Sequence, residues 1–308
     1  MMKLFVRKNP AKSANRPDQS CIAIDANGNE VGGYGIWYKD TPHLNRVPVG
    51  CIGNYRARDA AVGVELLHQA VSQLQEKGIE QIVGPMNGNT WHSYRLTTEG
   101  FSTPPFALET ITRKEYVEHF IAAGFEPLAH YASSIIKIDP CFDTGDNELF
   151  DSDITIRRFN KKKPYADLKA MYDVSLDAFA NNFLYTPIEK DQFVSMYAPI
   201  IQAVTPELVL IAEHEKKAVG FIFAIPNITL AQNRDDAVVI KTLARISDPM
   251  YKGLGLRLVD QCHKNAYALG YKKMINALYK DDNTSSSFST GCAAEVLRRY
   301  ALYAKKAA

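Results

Sequence analysis

The sequence predicts an α/β protein of two domains, each with a mixed sheet flanked by helices. In two segments, apolar runs of strand length enclose a stretch of helical periodicity: residues 47–83 in the first half and residues 237–278 in the second. Between the halves, residues 139–153 are acidic and rich in turn-forming residues, which is typical of a linker. We therefore expect a first domain over residues 1–146 and a second over residues 147–308.

The composition is that of an ordinary globular protein. The chain has 308 residues, enough for two cores, with 46% hydrophobic and 23% charged residues. Its net charge of +2 gives no general attraction to nucleic acid or to a membrane surface, and neither partner is expected. No run reaches the roughly 18 apolar residues of a membrane-spanning helix, and no signal-peptide core follows the basic N-terminus. The five scattered cysteines indicate neither disulfides nor a metal site, so a cytoplasmic protein without a bound metal is expected.

The first half shows a meander of strands followed by a strand–helix–strand unit. Strands are predicted over residues 3–7, 21–25, 33–38, 47–55, 79–83 and 129–138. Apolar residues at helical spacing over residues 60–77, followed by Gly78, predict a helix with a glycine C-cap. Thr112, with Glu115 three residues later, predicts a capping box at the start of a second helix that ends at Ala123.

The second half repeats this plan. Strands are predicted over residues 154–159, 208–213, 218–225, 237–246, 273–278 and 295–303, and helices over residues 164–180, 188–197 and 254–269. Residues 225–236 are expected to form a long loop. A glycine turn precedes the last helix of the second half, whereas the matching position of the first half reads Arg56-Ala-Arg-Asp59. The first half is therefore expected to be a copy of the same fold without that turn.

The glycine turn, Met250-Tyr-Lys-Gly-Leu-Gly-Leu256, predicts either a phosphate site or a connection that binds nothing. The first N–H groups of a helix lack internal partners, and the N-terminal end of its dipole is positive. Gly253 and Gly255 leave room for close approach, and Lys252 adds a positive charge. The dinucleotide motif fails because its third glycine position is Leu258, and no triphosphate P-loop motif occurs.

The succession of strand, glycine turn, helix, strand and asparagine resembles the acetyl-CoA-binding core of the GCN5-related N-acetyltransferase (GNAT) superfamily. The family loop, Arg/Gln-x-x-Gly-x-Gly/Ala, becomes Met250-x-x-Gly253-x-Gly255, and Asn283 stands where the family has an asparagine near the pantetheine arm. The resemblance covers residues 153–308. It implies tandem GNAT-like domains with mostly antiparallel sheets, of which the first is degenerate and the second carries the acyl-CoA site. The residues that it implies for binding acetyl-CoA or another acyl-CoA are Met250, Tyr251, Lys252, Gly253, Leu254, Gly255, Leu256 and Asn283.

The resemblance also implies N-acyl transfer to a small amine or amino-acid-like acceptor. Such a reaction needs a general base for the amine, donors for the thioester oxygen and an acid for the departing thiolate. The position at which the family often carries a tyrosine is Thr290 here. The candidate bases are Asp248 and Glu213, and the candidate acids are Tyr300 and Tyr303. In the connection between the two helices of residues 164–197, the acceptor-pocket candidates are Asn181, Asn182, Tyr185 and Glu189.

Two other functions remain open. A non-catalytic protein that binds acyl-CoA as a sensor is favoured by Met250, which replaces a basic residue, and by Thr290. A transferase that uses aminoacyl-tRNA or another acyl carrier is disfavoured by the nearly neutral charge, because such a protein is expected to carry a basic groove. After the strand at residues 79–83, Asn87, Asn89 and Thr90 are expected to act either as turn and cap residues or as ligand contacts.

Overall fold

The computed structural model describes residues 2–8, 16–110, 112–139, 153–228, 234–281 and 294–306. Its strands are β1 (Lys3–Lys8), β2 (Gln19–Ile24), β3 (Glu30–Trp37), β4 (His43–Leu44), β5 (Val47–Pro48), β6 (Gly50–Ala57), β7 (Gln81–Gly84), β8 (Leu96–Glu99), β9 (Glu126–Lys137), β10 (Thr155–Arg158), β11 (Val209–His214), β12 (Lys217–Ile228), β13 (Arg234–Arg245), β14 (Lys273–Lys280) and β15 (Glu295–Lys306). Its α-helices are α1 (Ala60–Gln75), α2 (Glu115–Ala122), α3 (Pro164–Ala178), α4 (Lys190–Tyr197) and α5 (Leu254–Ala268). One-turn 3₁₀ helices cover Ile201–Ala203, Pro206–Leu208 and Pro249–Tyr251.

Most of the strands form one continuous sheet. Within the described residues, its order is β1-β2-β3-β6-β7-β15-β9-β14-β13-β12-β11-β10, and β8 lies beside β15. Among these neighbours, β6–β7 and β13–β14 are parallel and the other pairs are antiparallel. Helices α1 and α5 pack against this sheet. The mixed, mostly antiparallel α/β architecture predicted from the sequence is confirmed.

Each half of the chain contains the same strand–helix–strand unit. Strands β6 and β7 enclose α1 in the first half, and strands β13 and β14 enclose α5 in the second. A helix that packs on a sheet needs one apolar stripe at intervals of three and four residues. The buried stripes are Leu67, Ala70, Val71 and Leu74 on α1, and Leu258, Val259, Cys262 and Ala266 on α5.

The two halves exchange their last strands. The first half ends in β9, which pairs with β14 of the second half; the second half ends in β15, which pairs with β7 and β8 of the first. The two exchanged strands also pair with each other along most of their length. Each half is therefore completed by the other, although the predicted domain boundary at residues 146 and 147 lies outside the described residues and stays a prediction.

Two predictions about local structure are wrong. Strand β12 ends at Ile228 and β13 begins at Arg234, so most of the predicted loop over residues 225–236 is strand. Polar Asn227 is tolerated there because its buried Oδ1 accepts a hydrogen bond of 2.8 Å from Ala107 N. The predicted capping box is also missing: α2 begins at Glu115, and Thr112 Oγ1 instead accepts from Thr97 N at 2.9 Å.

The exchange of strands predicts that β15 contributes to the stability of the first half. Leu302 of β15 is fully buried in a cluster formed mainly by first-half side chains, including Trp37 and Met86. We expect Leu302→Ala to lower the free energy of unfolding by about 2–5 kcal/mol, because it leaves a cavity. The matched control is Leu269→Ala, at an exposed leucine that ends α5, with an expected loss below about 0.5 kcal/mol. Urea denaturation measures both, and equal small losses would contradict the position of β15.

Candidate active site

The parallel strands β13 and β14 separate at their carboxyl ends. They pair from Ala237 opposite Lys273 to Ile240 opposite Asn276, and the pairing then stops although both strands continue. A bulge marks the point of separation on β13, because Ile240 and Thr242 oppose adjacent residues of β12 and Lys241 is the extra residue. On β14, the pairing with β9 likewise shifts between Asn276 and Tyr279.

A cavity of about 920 Å³ lies where these strands separate. Its walls come from both halves of the chain: residues 240–243 of β13, residues 276–280 of β14, residues 179–185 between α3 and α4, and residues 87–95 of the first half. Aromatic side chains form much of the surface, among them Trp91, Tyr94, Tyr185, Tyr197 and Phe223. Polar side chains line it as well, among them Arg95, Asn181 and Lys241. A concave pocket that combines aromatic walls with converging polar groups is typical of a small-molecule site.

Side chains of the first half hold the separated strand β14 in place. Leu278 has a left-handed backbone with a φ of 61°, and its N–H and C=O groups do not follow the strand ladder. Its N–H donates to Ser133 Oγ at 2.9 Å, and its C=O accepts from Arg95 Nη1 at 3.1 Å. Buried backbone groups require such partners, so Ser133 and Arg95 replace the hydrogen bonds that the separation removes.

A buried carboxylate, Glu109, continues this network. Tyr300 donates a hydrogen bond to Glu109 Oε1, and the Tyr300 hydroxyl lies 3.2 Å from Ser133 Oγ. The guanidinium of Arg298 lies 2.7 Å from the same carboxylate, and both side chains are almost fully buried. Burial and the hydrogen bond to Glu109 raise the pKa of Tyr300 above its usual range. The Tyr300 proton is therefore held by Glu109, although its ring lines the cavity.

Lys241, the bulged residue of β13, lines the same cavity. Its Nζ lies 3.4 Å from Leu108 O and 5.7 Å from the centroid of the Phe106 ring. Desolvation lowers the pKa of Lys241 to about 8; the positive charge of Arg95 lowers it further, and Glu109 opposes the shift. The sequence analysis missed this residue, for which the available signal is one lysine within the apolar run of residues 237–246.

The glycine turn presents unpaired amides. Asp248 Oδ1 accepts from Met250 N at 2.9 Å and caps the 3₁₀ turn that precedes α5. The amides of Lys252 and Leu256 donate to carbonyls within the turn, so these two of the residues predicted to bind acyl-CoA offer no free N–H group. In the described part of the chain, the amides of residues 253–255 have no protein acceptor. Gly253 has a φ of 89°, a backbone conformation that residues with a side chain rarely adopt. These three N–H groups therefore lie at the start of α5, and the residue at position 253 has no side chain that could cover them.

The turn lies beside the cavity. A Cβ atom added to Gly255 would lie 3.7 Å from the Leu243 side chain, which lines the cavity wall. The matching helix start in the first half differs, because Asp59 Oδ1 accepts from Val62 N at 3.0 Å. That hydrogen bond lowers the pKa of Asp59, so an ionised carboxylate occupies the N-terminus of α1 and repels a phosphate.

Comparisons with known proteins agree with this geometry. A scan against models of protein families finds no match. Protein YghO of Escherichia coli (strain K12) is 25% identical over 239 residues, which cover 74% of this chain and 61% of YghO. The bacterial ceramide synthase of Caulobacter vibrioides (strain NA1000 / CB15N) is 22% identical over 177 residues, which cover 56% of this chain and 46% of the synthase. The chain thus spans roughly half the length of these curated relatives.

Solved structures extend the similarity to almost the whole chain. A GCN5-related N-acetyltransferase from Sphaerobacter thermophilus superposes with a TM-score of 0.56 at 14% identity, over 94% of this chain and 80% of its own. A tandem GNAT protein from the clavulanic acid biosynthesis pathway superposes with a TM-score of 0.53 at 9% identity, over 100% of this chain and 84% of its own. The chain has the tandem GNAT fold. The resemblance seen in the sequence is confirmed at this level.

Within the tandem GNAT fold, three of the predicted acceptor-pocket residues come together. Asn181, Asn182 and Tyr185 line the cavity. The Tyr185 hydroxyl is buried without a hydrogen-bond partner among the described residues, and burial raises its pKa. Glu189 is exposed at the start of α4 and does not line the cavity. Helix α4 is positioned instead by Phe193, whose ring packs 5.8 Å from that of Trp91.

The predicted catalytic residues are mostly elsewhere. Glu213 forms an ion pair with Arg157 at 2.8 Å, and Asp248 caps the 3₁₀ turn. Tyr303 is buried in the first-half core, where its ring centroid lies 5.9 Å from that of Phe120. These three side chains do not line the cavity, because each is used by local structure, whereas Tyr300 does line it. Asn283 lies outside the described residues, and its role stays a prediction.

Three charged residues in or beside the cavity were not predicted from the sequence: Arg95 and Lys241, which line it, and Glu109, which lies behind Tyr300. The polar cluster after β7 is partly explained by turns, since Asn87 Oδ1 accepts from Asn54 N and Asn89 Oδ1 accepts from Trp91 N. Among the described residues, no group of His, Cys, Asp and Glu side chains is arranged to hold a metal ion. No described helix combines the length and apolar character needed to cross a membrane.

The lowered pKa of Lys241 predicts that the stability of the protein depends on pH. Its pKa is about 8 in the folded protein, against an ordinary value of 10.5. Between these values the unfolded chain holds a proton that the folded chain has released, so stability rises with pH across that window. We expect the free energy of unfolding of the wild type to increase from pH 8 to pH 10 relative to Lys241→Met and Lys241→Gln. Urea titrations at each pH measure the difference, and a difference independent of pH would show that Lys241 is not desolvated.

Proposed function

We propose that the protein is an acyl-CoA-dependent N-acyltransferase that acylates the amino group of a small molecule. The observation that carries this proposal is the opening of the parallel pair β13–β14 into a cavity, with three unpaired amides beside it at the N-terminus of α5. An extended donor with a phosphate-bearing end and a reactive end fits such an arrangement, because the amides bind the phosphates and the cavity receives the acyl group.

The glycine turn fits the diphosphate of CoA. The amides of residues 253–255 supply hydrogen bonds, and the exposed side chain of Lys252 supplies a positive charge. The pantetheine arm then enters between residues 241–243 of β13 and residues 277–278 of β14. Asn283 is assigned to this arm by resemblance alone. Met250, which is 52% exposed, leaves the position without the basic side chain of the family motif.

Acyl-CoA supplies a thioester, whose acyl carbon is activated for attack by an amine. The bulges at Lys241 and at Ala277–Leu278 interrupt the strand ladders at the point where the thioester oxygen gains negative charge. Asn181, Asn182 and Tyr185 orient the acceptor through their polar groups. As the amine nitrogen bonds to the acyl carbon, the C–S bond breaks and CoA leaves as a thiolate. Since none of the described carboxylates lines the cavity, the proton that the amine loses passes through water held by these polar walls to that thiolate, which leaves as CoA-SH.

The relatives support this reaction class. The similar solved structures include proteins named as N-acetyltransferases, and one similar curated protein is named as a ceramide synthase. Ceramide is an N-acylated amine, so that name also describes amide formation. The acyl chain and the acceptor of the present chain are not fixed by these names.

A second candidate function is acyl-CoA binding without turnover. It is favoured by Tyr300, whose proton is held by Glu109 and is therefore not directed at a leaving thiolate. Calorimetry with acetyl-CoA and with a long-chain acyl-CoA, followed by a thiol-release assay over a panel of amines, distinguishes the two functions. Turnover supports the transferase, and binding without release of thiol for any amine supports the sensor.

The role of the turn is tested at Gly253. We expect Gly253→Asp to weaken CoA binding at least about tenfold, because it places a negative charge beside the diphosphate. Gly253→Asn is the matched control, since asparagine has the same size and the same backbone strain at a φ of 89° but no charge. Calorimetry should show a much weaker affinity for the Asp variant than for the Asn variant. Equal affinities would place the diphosphate elsewhere.

A further inference from the structure

Among the described residues, the charged side chains that line the cavity all have the same sign. Arg95, Lys241 and Lys280 line it, and within the described residues no aspartate or glutamate does. Lys280 Nζ stands 5.1 Å from the centroid of the Phe183 ring. His92, which also lines the wall, has a pKa lowered by desolvation, so it stays neutral at neutral pH. The wall is therefore positive where it meets a bound molecule.

Among the described residues, Arg95 is a buried cation without an anionic partner. Only 9% of the residue is exposed, and its guanidinium lies between two rings, 3.9 Å from the centroid of Tyr94 and 4.4 Å from that of Tyr131. Its Nε and Nη1 donate to the carbonyls of Tyr94 and Leu278. In the described part of the chain, no acceptor is found for Nη2 and no ion pair involves Arg95. A buried guanidinium is costly unless an anion neutralises it.

The backbone of Arg95 reinforces this observation. Its φ of 74° is left-handed, a conformation that costs free energy for a residue other than glycine. The neighbouring residues Tyr94 and Leu96 are strand-like and do not require this left-handed backbone. The same backbone conformation brings the Arg95 guanidinium to the cavity, between two aromatic rings. Strained backbone at a ligand site is common where the strain positions a functional side chain.

Lys241 adds a second unpaired cation nearby. Its ammonium forms no ion pair among the described residues; its contacts are the carbonyl of Leu108 and the Phe106 ring. The carboxylate that opposes the lowering of the pKa of Lys241 is Glu109, which already forms an ion pair with Arg298 and accepts a hydrogen bond from Tyr300. Glu109 is therefore neutralised by Arg298, and the part of the chain that the structure describes offers no other carboxylate to the charges of Arg95 and Lys241.

We propose that the acceptor carries an anionic group, a carboxylate or a phosphate ester, beside the amine that is acylated, and that Arg95 and Lys241 bind this group. This inference rests on the proposed transferase function and narrows its substrate class. The planar guanidinium donates to two oxygens of such a group, and the lysine adds a point charge. Amines with several positive charges are disfavoured by the same wall, because like charges in a desolvated cavity repel strongly.

The test uses matched pairs of N-acetylated products, which occupy the acceptor site without turnover. One pair is N-acetylglycine and N-acetylglycinamide; the other is N-acetyl-phosphoethanolamine and N-acetylethanolamine. We expect the anionic member of at least one pair to bind about tenfold or more tightly than the neutral member at pH 7, as measured by calorimetry. The first pair distinguishes a carboxylate and the second a phosphate ester as the recognised group.

Variants connect the preference to the cavity. Lys241→Met should reduce the preference for the anionic member several-fold, and Lys241→Arg should retain most of it. Lys169→Met, at an exposed lysine of α3, removes the same charge far from the wall and should leave the preference unchanged. Arg95→Met should abolish the preference, and circular dichroism reports whether it still folds. The Lys241 variants keep the test valid if the Arg95 variant does not fold.

The outcomes separate this inference from the proposed function. Equal binding of both members, tighter binding of the neutral member or no binding of any product overturns the anionic acceptor. Turnover of neutral amino alcohols at the same kcat/KM as of their phosphate esters overturns it as well. Acyl-CoA binding and thiol release are measured independently in the same protein, so a failure of the transferase assignment appears as absent acyl-CoA binding or as binding without thiol release, whereas a failure of the anionic acceptor appears as absent product discrimination.

Discussion

The separation of β13 from β14 is the constraint on which the rest of the structure depends. Two parallel strands that stop pairing leave backbone groups without partners, and each buried unsatisfied group costs about 1–3 kcal/mol. The structure satisfies the N–H and C=O of Leu278 with Ser133 and Arg95 instead of a strand. Both of these side chains belong to the first half. The opening in the second half is therefore stable only because the first half completes it.

The exchange of strands places Ser133 beside the separated part of β14. Because β9 lies between β14 and β15, Ser133 of β9 lies within hydrogen-bonding distance of both Leu278 and Tyr300. Tyr300 then leads to Glu109 and Arg298, which closes a buried network between the halves. The first half lacks a glycine turn of its own. Its contribution is a set of walls and braces for the cavity of the second half.

The contrast between the two helix starts explains how the halves divide their roles. Asp59 fills the N-terminus of α1 with a carboxylate, so that end is both hydrogen-bonded and electrostatically closed to a phosphate. Gly253 leaves the N-terminus of α5 without a side chain, and three amides remain available. The same strand–helix–strand unit thus begins its helix with a capping carboxylate in one half and with a glycine in the other, where we propose the anion site.

Local signals made much of the fold predictable from the sequence. The glycine turn, the periodicity of α5 and the repeated order of elements depend on neighbouring residues, which a sequence displays directly. Arg95 and Glu109 were missed because each acts through contacts with strands far along the chain. Lys241 looks like an ordinary member of an apolar strand until the bulge brings it to the cavity.

The predicted catalytic carboxylates, Asp248 and Glu213, both have partners within the protein. Asp248 lies just before the glycine turn, and Glu213 ends a predicted strand, which made these two acidic residues plausible bases. The structure uses the first to cap a 3₁₀ turn and the second to neutralise Arg157. A sequence shows the chemical type of a side chain, but tertiary packing determines which group forms an ion pair or a hydrogen bond with it.

The central claim is tested most directly by a crystal structure of the protein with CoA. The account expects the diphosphate within hydrogen-bonding distance of the amides of residues 253–255, and the pantetheine arm between residues 241–243 and 277–278. A diphosphate bound elsewhere, or an arm that does not enter between β13 and β14, would contradict the account.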